Sequence, residues 1–97
     1  MRIIKYKAIS DFTEAYPDAK VALDDWYAKT ERSQWSCFAD VKNTFNSVDA
    51  VGNKCYIFNI KGNLYRLVAL ILFVPKIVYI RFIGTHAEYE KKDCSTI

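Results

Sequence analysis

Arg66 and Arg81 are the residues of this 97-residue chain that most need a chemical explanation. Each interrupts an otherwise apolar, strand-like run, at 64–74 and 77–83. A guanidinium in such a run is costly to bury unless it is paired or ligated. Two kinds of partner are open to them. One is an acid, from Glu88, Glu90 or a helix aspartate. The other is a phosphate, which a planar guanidinium grips bidentately and which accounts for both arginines at once. The single histidine, His86, follows directly. Its ordinary pKa of about 6.5 suits it to giving or taking a proton near neutral pH. A lone histidine is more often a plain surface residue, and it is the two arginines beside it that give His86 a chemical reading.

The charge distribution points to a polyanion. Residues 1–50 carry 7 Lys/Arg and 8 Asp/Glu, whereas residues 51–97 carry 7 and 3. Residues 50–87 include Lys54, Lys61, Arg66, Lys76 and Arg81 and no acid at all. On a small domain such a basic half fits nucleic acid, and a solvated basic sheet edge is the competing explanation. Three widely spaced cysteines, Cys37, Cys55 and Cys94, form no C-x-x-C pair, which argues against a disulfide scaffold or a cysteine-rich zinc site. Reduced thiols in a cytoplasmic protein are the expectation. The opening MRIIKYKAISDF is too charged for a signal peptide, and the longest apolar run, at 67–74, is far short of the ~20 residues that span a bilayer.

The elements that must position these side chains can be read from periodicity. A 52% hydrophobic, 26% charged chain of this length fits one globular domain over 1–97. Residues 2–6 alternate weakly, as a short strand does. Ile9, Phe12 and Tyr16 form a helical stripe that Pro17 ends. Asp18 is placed to cap a second helix, on which Ala19, Ala22, Leu23, Trp26, Tyr27 and Thr30 keep helical spacing. The two make an antiparallel pair with a short connection. Ser36 is placed to cap a third short helical turn bearing Phe38, Val41 and Phe45. From Lys54 the period becomes two, giving strands at 54–60, 64–74 and 77–83. Gly62-Asn63 and Pro75-Lys76 are their turns. The order predicts an α+β fold: an N-terminal strand and helix pair packed on an antiparallel meander, closed by a short C-terminal helix.

Hairpin arithmetic then brings the polar residues together. A two-residue loop at 62–63 sets Asn59 opposite Arg66. A two-residue loop at 75–76 sets Arg81 opposite Leu70 and Thr85 opposite Arg66. Asn59, Lys61, Arg66, Tyr79 and Arg81 then share one face. Tyr56, Phe58, Ile60, Tyr65, Leu67, Ala69, Ile71, Phe73, Val78, Ile80 and Phe82 share the other, against the helices. A shift of one residue would exchange the faces of a strand. Thr85 and Glu88 have capping-box spacing, so a terminal helix starts at His86.

The segments F-N-I-K-G-N-L-Y-R-L at 58–67 and R-F-I-G-T-H-A-E-Y at 81–89 resemble the HigB toxin family, within the RelE superfamily of bacterial type II toxins. Lys7-Ala8-Ile9 and Tyr16-Pro17 extend the resemblance over nearly the whole chain, with Glu90 standing where the family often has aspartate. The resemblance implies the small RelE-like α+β domain and a cytoplasmic mRNA endonuclease that acts on messages in the ribosome and is neutralised by a helix-turn-helix antitoxin of the HigA type. It implies metal-independent cleavage without a cofactor, with the 2′-OH of the RNA as nucleophile on the adjacent phosphate. Asn59, Lys61, Arg66, Arg81, His86 and Tyr89 stand at the family's motif positions. Such a reaction needs a base, an acid and cations to stabilise the phosphorane. His86 suits either proton role. Lys61 is the second proton-transfer candidate if surrounding cations lower its pKa. Arg66 and Arg81 would hold the scissile phosphate. Asn59, Lys54 and Tyr89 are the expected RNA contacts, Tyr89 by stacking on a base or, equally, serving only to pack its helix on the sheet. Two other functions are open: a gyrase inhibitor of the same superfamily, and a basic RNA- or ribosome-binding domain without catalysis. Mapping 5′ ends after incubation with ribosomes and mRNA separates them.

Overall fold

Pro17 sets the first corner of the fold. The residue before a proline is pushed out of helical geometry, and Tyr16, at φ −128° and ψ 75°, ends helix α1 (Lys7–Ala15). Pro17 then opens a single 3-10 turn, Pro17–Ala19, that leads straight into α2 (Lys20–Arg32). Asp18 does not cap α2; its carboxylate reaches the sheet instead. The rings of Tyr6 and Tyr27 meet edge-on at 4.9 Å, which sets the start of α1 against the second half of α2, as an antiparallel pair requires.

The computed structural model describes residues 1–90, without the side chain of Glu90. Before the helix pair comes β1 (Arg2–Ile4), and after it α3 (Phe38–Thr44), β2 (Asp49–Ala50), β3 (Cys55–Ile60), β4 (Tyr65–Leu72), β5 (Ile77–Thr85) and α4 (His86–Glu90). The strands form one sheet in the order β1-β5-β4-β3-β2, antiparallel except for the parallel β1–β5 edge. This is the expected α+β, RelE-like arrangement. The two-residue β2 was not expected, being too short to show a period. Ser36 does not cap α3 through its side chain. Its N–H instead donates to Asp40 Oδ2 at 2.9 Å. No helix of the described residues is long and apolar enough to cross a membrane.

Ile9, Leu23 and Trp26 pack on Phe58, Leu67, Ala69, Ile71, Val78 and Ile80, all essentially sealed from solvent. Trp26 meets Phe58 edge-on at 5.4 Å. Each such aromatic pair adds ~0.5–1.5 kcal/mol beyond the area it buries. Cys37 is an exposed free thiol, but Cys55 is disulfide-bonded, against the expectation of reduced thiols. Cys94 lies outside the described residues.

The first hairpin keeps the expected register throughout, with Asn59 opposite Arg66. The second does not. Its turn covers residues 73–76 rather than two residues, which by itself preserves the faces. A bulge opposite Val68 and Ala69 then inserts Arg81 as an extra residue. Beyond it the faces exchange. Arg66 pairs with Gly84 rather than Thr85, and Phe82 pairs with Val68 on the outer face instead of lying against the helices. Ile83 takes the helix-facing position and packs on the core.

Candidate active site

A row of three positions crosses the outer face at one end of the sheet: Asn59 on β3, Arg66 on β4 and Gly84 on β5. Asn59 is half-buried, and its Nδ2 donates to the Ser47 carbonyl at 3.4 Å, a contact between β2's approach and the row. Arg66 is half-buried too, yet its Nη1 is fully buried and has no hydrogen-bond partner among the described residues. An unsatisfied buried donor costs about 1–3 kcal/mol, and more for a charged group. The arrangement therefore leaves one nitrogen of this cation unsatisfied inside the sheet face. The bulge supplies the third position. With no side chain on Gly84, the Phe82 ring folds over it, and an added Cβ would lie 2.5 Å from Phe82 Cζ.

His86 follows two residues after Gly84, at the start of α4. Thr85 N–H donates to Glu88 Oε1 at 2.8 Å, and Glu88 N–H donates to Thr85 Oγ1 at 3.2 Å, so the capping box forms as expected. His86 N–H donates to the Leu64 carbonyl at 3.3 Å, which ties α4 to the turn before β4. The histidine side chain is exposed, and Tyr89, three residues on, is half-buried. Glu88 is committed to the cap. Of the acids weighed as partners for Arg66, it is accounted for, and the Glu90 side chain lies outside the described residues.

The other basic residues are spread out. Lys61 does not join Arg66: its Nζ lies 3.2 Å from Asp18 Oδ2 at the edge of the helix layer. The charged neighbour of Lys61 is thus a carboxylate and not another cation. Arg81 is exposed at the bulge, and its Cζ lies 5.7 Å from the centre of the Tyr79 ring. Tyr79 pairs with Leu70, four residues from Arg66 along β4, roughly 13 Å at ~3.3 Å per residue. Arg81 itself stands at the bulge opposite Val68 and Ala69, two to three residues along β4 from Arg66. Lys54 is exposed at the far end of β3, five residues or roughly 16 Å from Asn59 at the same rise. It borders a cavity of about 310 Å³ with Tyr56, Ile71, Leu72, Phe73 and Val74, away from the row. Lys76 Nζ is taken by the Trp35 carbonyl at 3.0 Å. Asp18 was not foreseen in this role. Its carboxyl is held below the usual range, first by the Tyr65 hydroxyl and then by Lys61.

This geometry can be set beside known proteins. The family described as HigB toxin, RelE-like toxic component of a toxin-antitoxin system, matches residues 19–92. The mRNA interferase toxin HigB of Escherichia coli strain K12 is 37% identical over 95 residues, covering 93% of this chain and 88% of that protein. The mRNA interferase HigB of Shigella flexneri matches to the same extent. The mRNA interferase HigB of Escherichia coli O6:H1 is 30% identical over 93 residues, covering 94% of this chain and 90% of the relative.

Proposed function

Because the chain belongs to the HigB family of RelE-like toxins, we propose that it cuts mRNA at the Asn59–Arg66–His86 end of its sheet. It is the toxin of a toxin–antitoxin pair and an mRNA interferase, hence an endoribonuclease. Its partners are an antitoxin, which we assign to the helix-turn-helix HigA type, and mRNA, which we assign to ribosomes in the cytoplasm.

The observation that carries the site is the register that sets Asn59 opposite Arg66 and Arg66 opposite Gly84, with His86 two residues further on and tied to Leu64 beside β4. The Arg66 guanidinium grips the scissile phosphate and stabilises the charge that builds as the 2′-OH attacks. His86 carries one of the two proton transfers, either taking the 2′ proton or giving one to the departing 5′ oxygen. Arg81, whose guanidinium leans over Tyr79, serves a flanking phosphate. Asn59 and Tyr89 contact sugar or base, and Lys54 contributes only long-range attraction. Lys61, paired with Asp18, supports the site and takes no part in the proton transfers.

The test is cleavage of a defined mRNA on ribosomes with 5′ ends mapped. Wild-type protein gives translation-dependent cuts. His86→Ala abolishes both cuts and growth arrest while still folding and binding the antitoxin. A well-expressed, fully toxic His86→Ala variant overturns the proton-transfer role.

A further inference from the structure

We infer that Asp18 is a positioning residue for mRNA cleavage, acting through the turn at residues 61–64; this rests on the site reading above. Asp18 lies on the short connection between α1 and α2, more than 40 residues from the site in sequence. Its two carboxylate oxygens are divided between two partners. Oδ1 accepts from the Tyr65 hydroxyl at 2.6 Å, and Oδ2 accepts from Lys61 Nζ at 3.2 Å. Lys61 opens the turn and Tyr65 is the residue that follows it. One carboxylate thus clamps both ends of the segment. Within it, the Leu64 carbonyl receives the His86 N–H.

The clamp is rigid on both sides. Ala19, beside Asp18, is wholly buried. The Tyr65 ring is set edge-on against Phe12 at 5.3 Å and Tyr16 at 5.5 Å, which themselves stack at 4.7 Å. The turn needs such support because Lys61 takes φ +53° and is followed by Gly62 at φ +65°. The left-handed region is one that a lysine rarely adopts. Holding the Lys61 side chain holds that conformation, and with it the height of Leu64 and the start of α4. The Lys61–Asp18 pair is about half exposed, at 44% and 49%, so its share of global stability is small. The Tyr65–Asp18 bond adds its own share, so positioning is separated from simple destabilisation by comparison with a core variant of equal melting temperature.

The experiment is single-turnover cleavage of a defined mRNA loaded on ribosomes, with ribosome concentration varied. Asp18→Ala lowers the maximal rate about tenfold or more, since small misplacements cost rate steeply. The half-saturating concentration stays within about twofold, because binding in the ground state is not what is lost. Asp18→Asn keeps part of the rate, since its amide oxygen still accepts from Tyr65. A wild-type maximal rate in Asp18→Ala, with His86→Ala inactive, overturns the positioning role and leaves the site intact. A rate loss no larger than that of a core variant brought to the same melting temperature, such as Ile71→Val, overturns it too. An active His86→Ala variant removes the site reading itself, whatever Asp18 does.

Discussion

The two faces of the sheet obey different rules. On the helix face every position of β3, β4 and β5 is apolar or aromatic up to Ile83, and Leu67, Ala69 and Val78 have no exposed surface at all. On the outer face Asn59, Arg66 and Tyr79 interrupt the apolar pattern, a bulge displaces Arg81, and a guanidinium nitrogen is left buried without a partner among the described residues. Local preference and global packing agree on the first face and conflict on the second. Such conflict persists where function requires it. Here the face packed on the helices and the face we propose for the chemistry are separated by the thickness of one strand.

Substitutions on the two faces should therefore fail in different assays. The largest effect is expected from Trp26→Ala. It removes a ring packed on Phe45 and Phe58 and should destabilise the domain by about 3–5 kcal/mol. Denaturant unfolding measures this. A loss below about 1 kcal/mol would mean the helix face is less tightly packed than its burial indicates. Next comes Arg66→Ala, expected to slow cleavage by ~10²-fold or more, the usual size for losing a charge-stabilising donor. Its unfolding free energy should hold or rise, because an unsatisfied buried donor is removed. Arg66→Lys should restore only part of the rate, since lysine cannot make the bidentate contact. Full activity in Arg66→Lys would show that the site needs charge alone.

The same division decides what was legible in the sequence. The helix face reads directly, because burial imposes period two on strands and a stripe on α1 and α2. The Gly62 turn fixed one register, so Asn59 opposite Arg66 followed from arithmetic. The capping box at Thr85 and Glu88 is a local bond pair at fixed spacing and was equally readable. What escaped is non-local. The bulge at Arg81 answers to Val68 and Ala69 on the neighbouring strand, which no window along the chain contains. Asp18 has the local look of a helix cap, yet the Tyr65 hydroxyl and Lys61 ammonium claim its carboxylate from the far side of the chain. Lys54 stands away from Arg66 because of the length of β3, and Arg81 is shifted by the bulge, neither of which charge counting detects.

The smallest expected effect lies where the two faces meet, at the Asp18–Tyr65 bond, and it has a sign at each end of the pH scale. The Asp18 carboxyl is held below its ordinary value, chiefly by the Tyr65 hydroxyl. A depressed carboxyl contributes stability that is full above its unfolded pKa of about 3.9 and is lost as pH falls through the folded value. The Tyr65 hydroxyl is pushed up to about 12, chiefly by its bond to Asp18. A raised phenol contributes stability that is full below its unfolded pKa of about 10 and is lost as pH rises toward the folded value. Both contributions stem from one bond, so Tyr65→Phe should flatten both limbs together: relative to wild type it is less stable between about pH 4 and 10, and the difference shrinks outside that window. Melting temperatures of the two proteins across pH measure it. A constant difference at every pH would mean that the ring's packing on Phe12 and Tyr16, and not its hydroxyl, is what ties the helix connection to the turn.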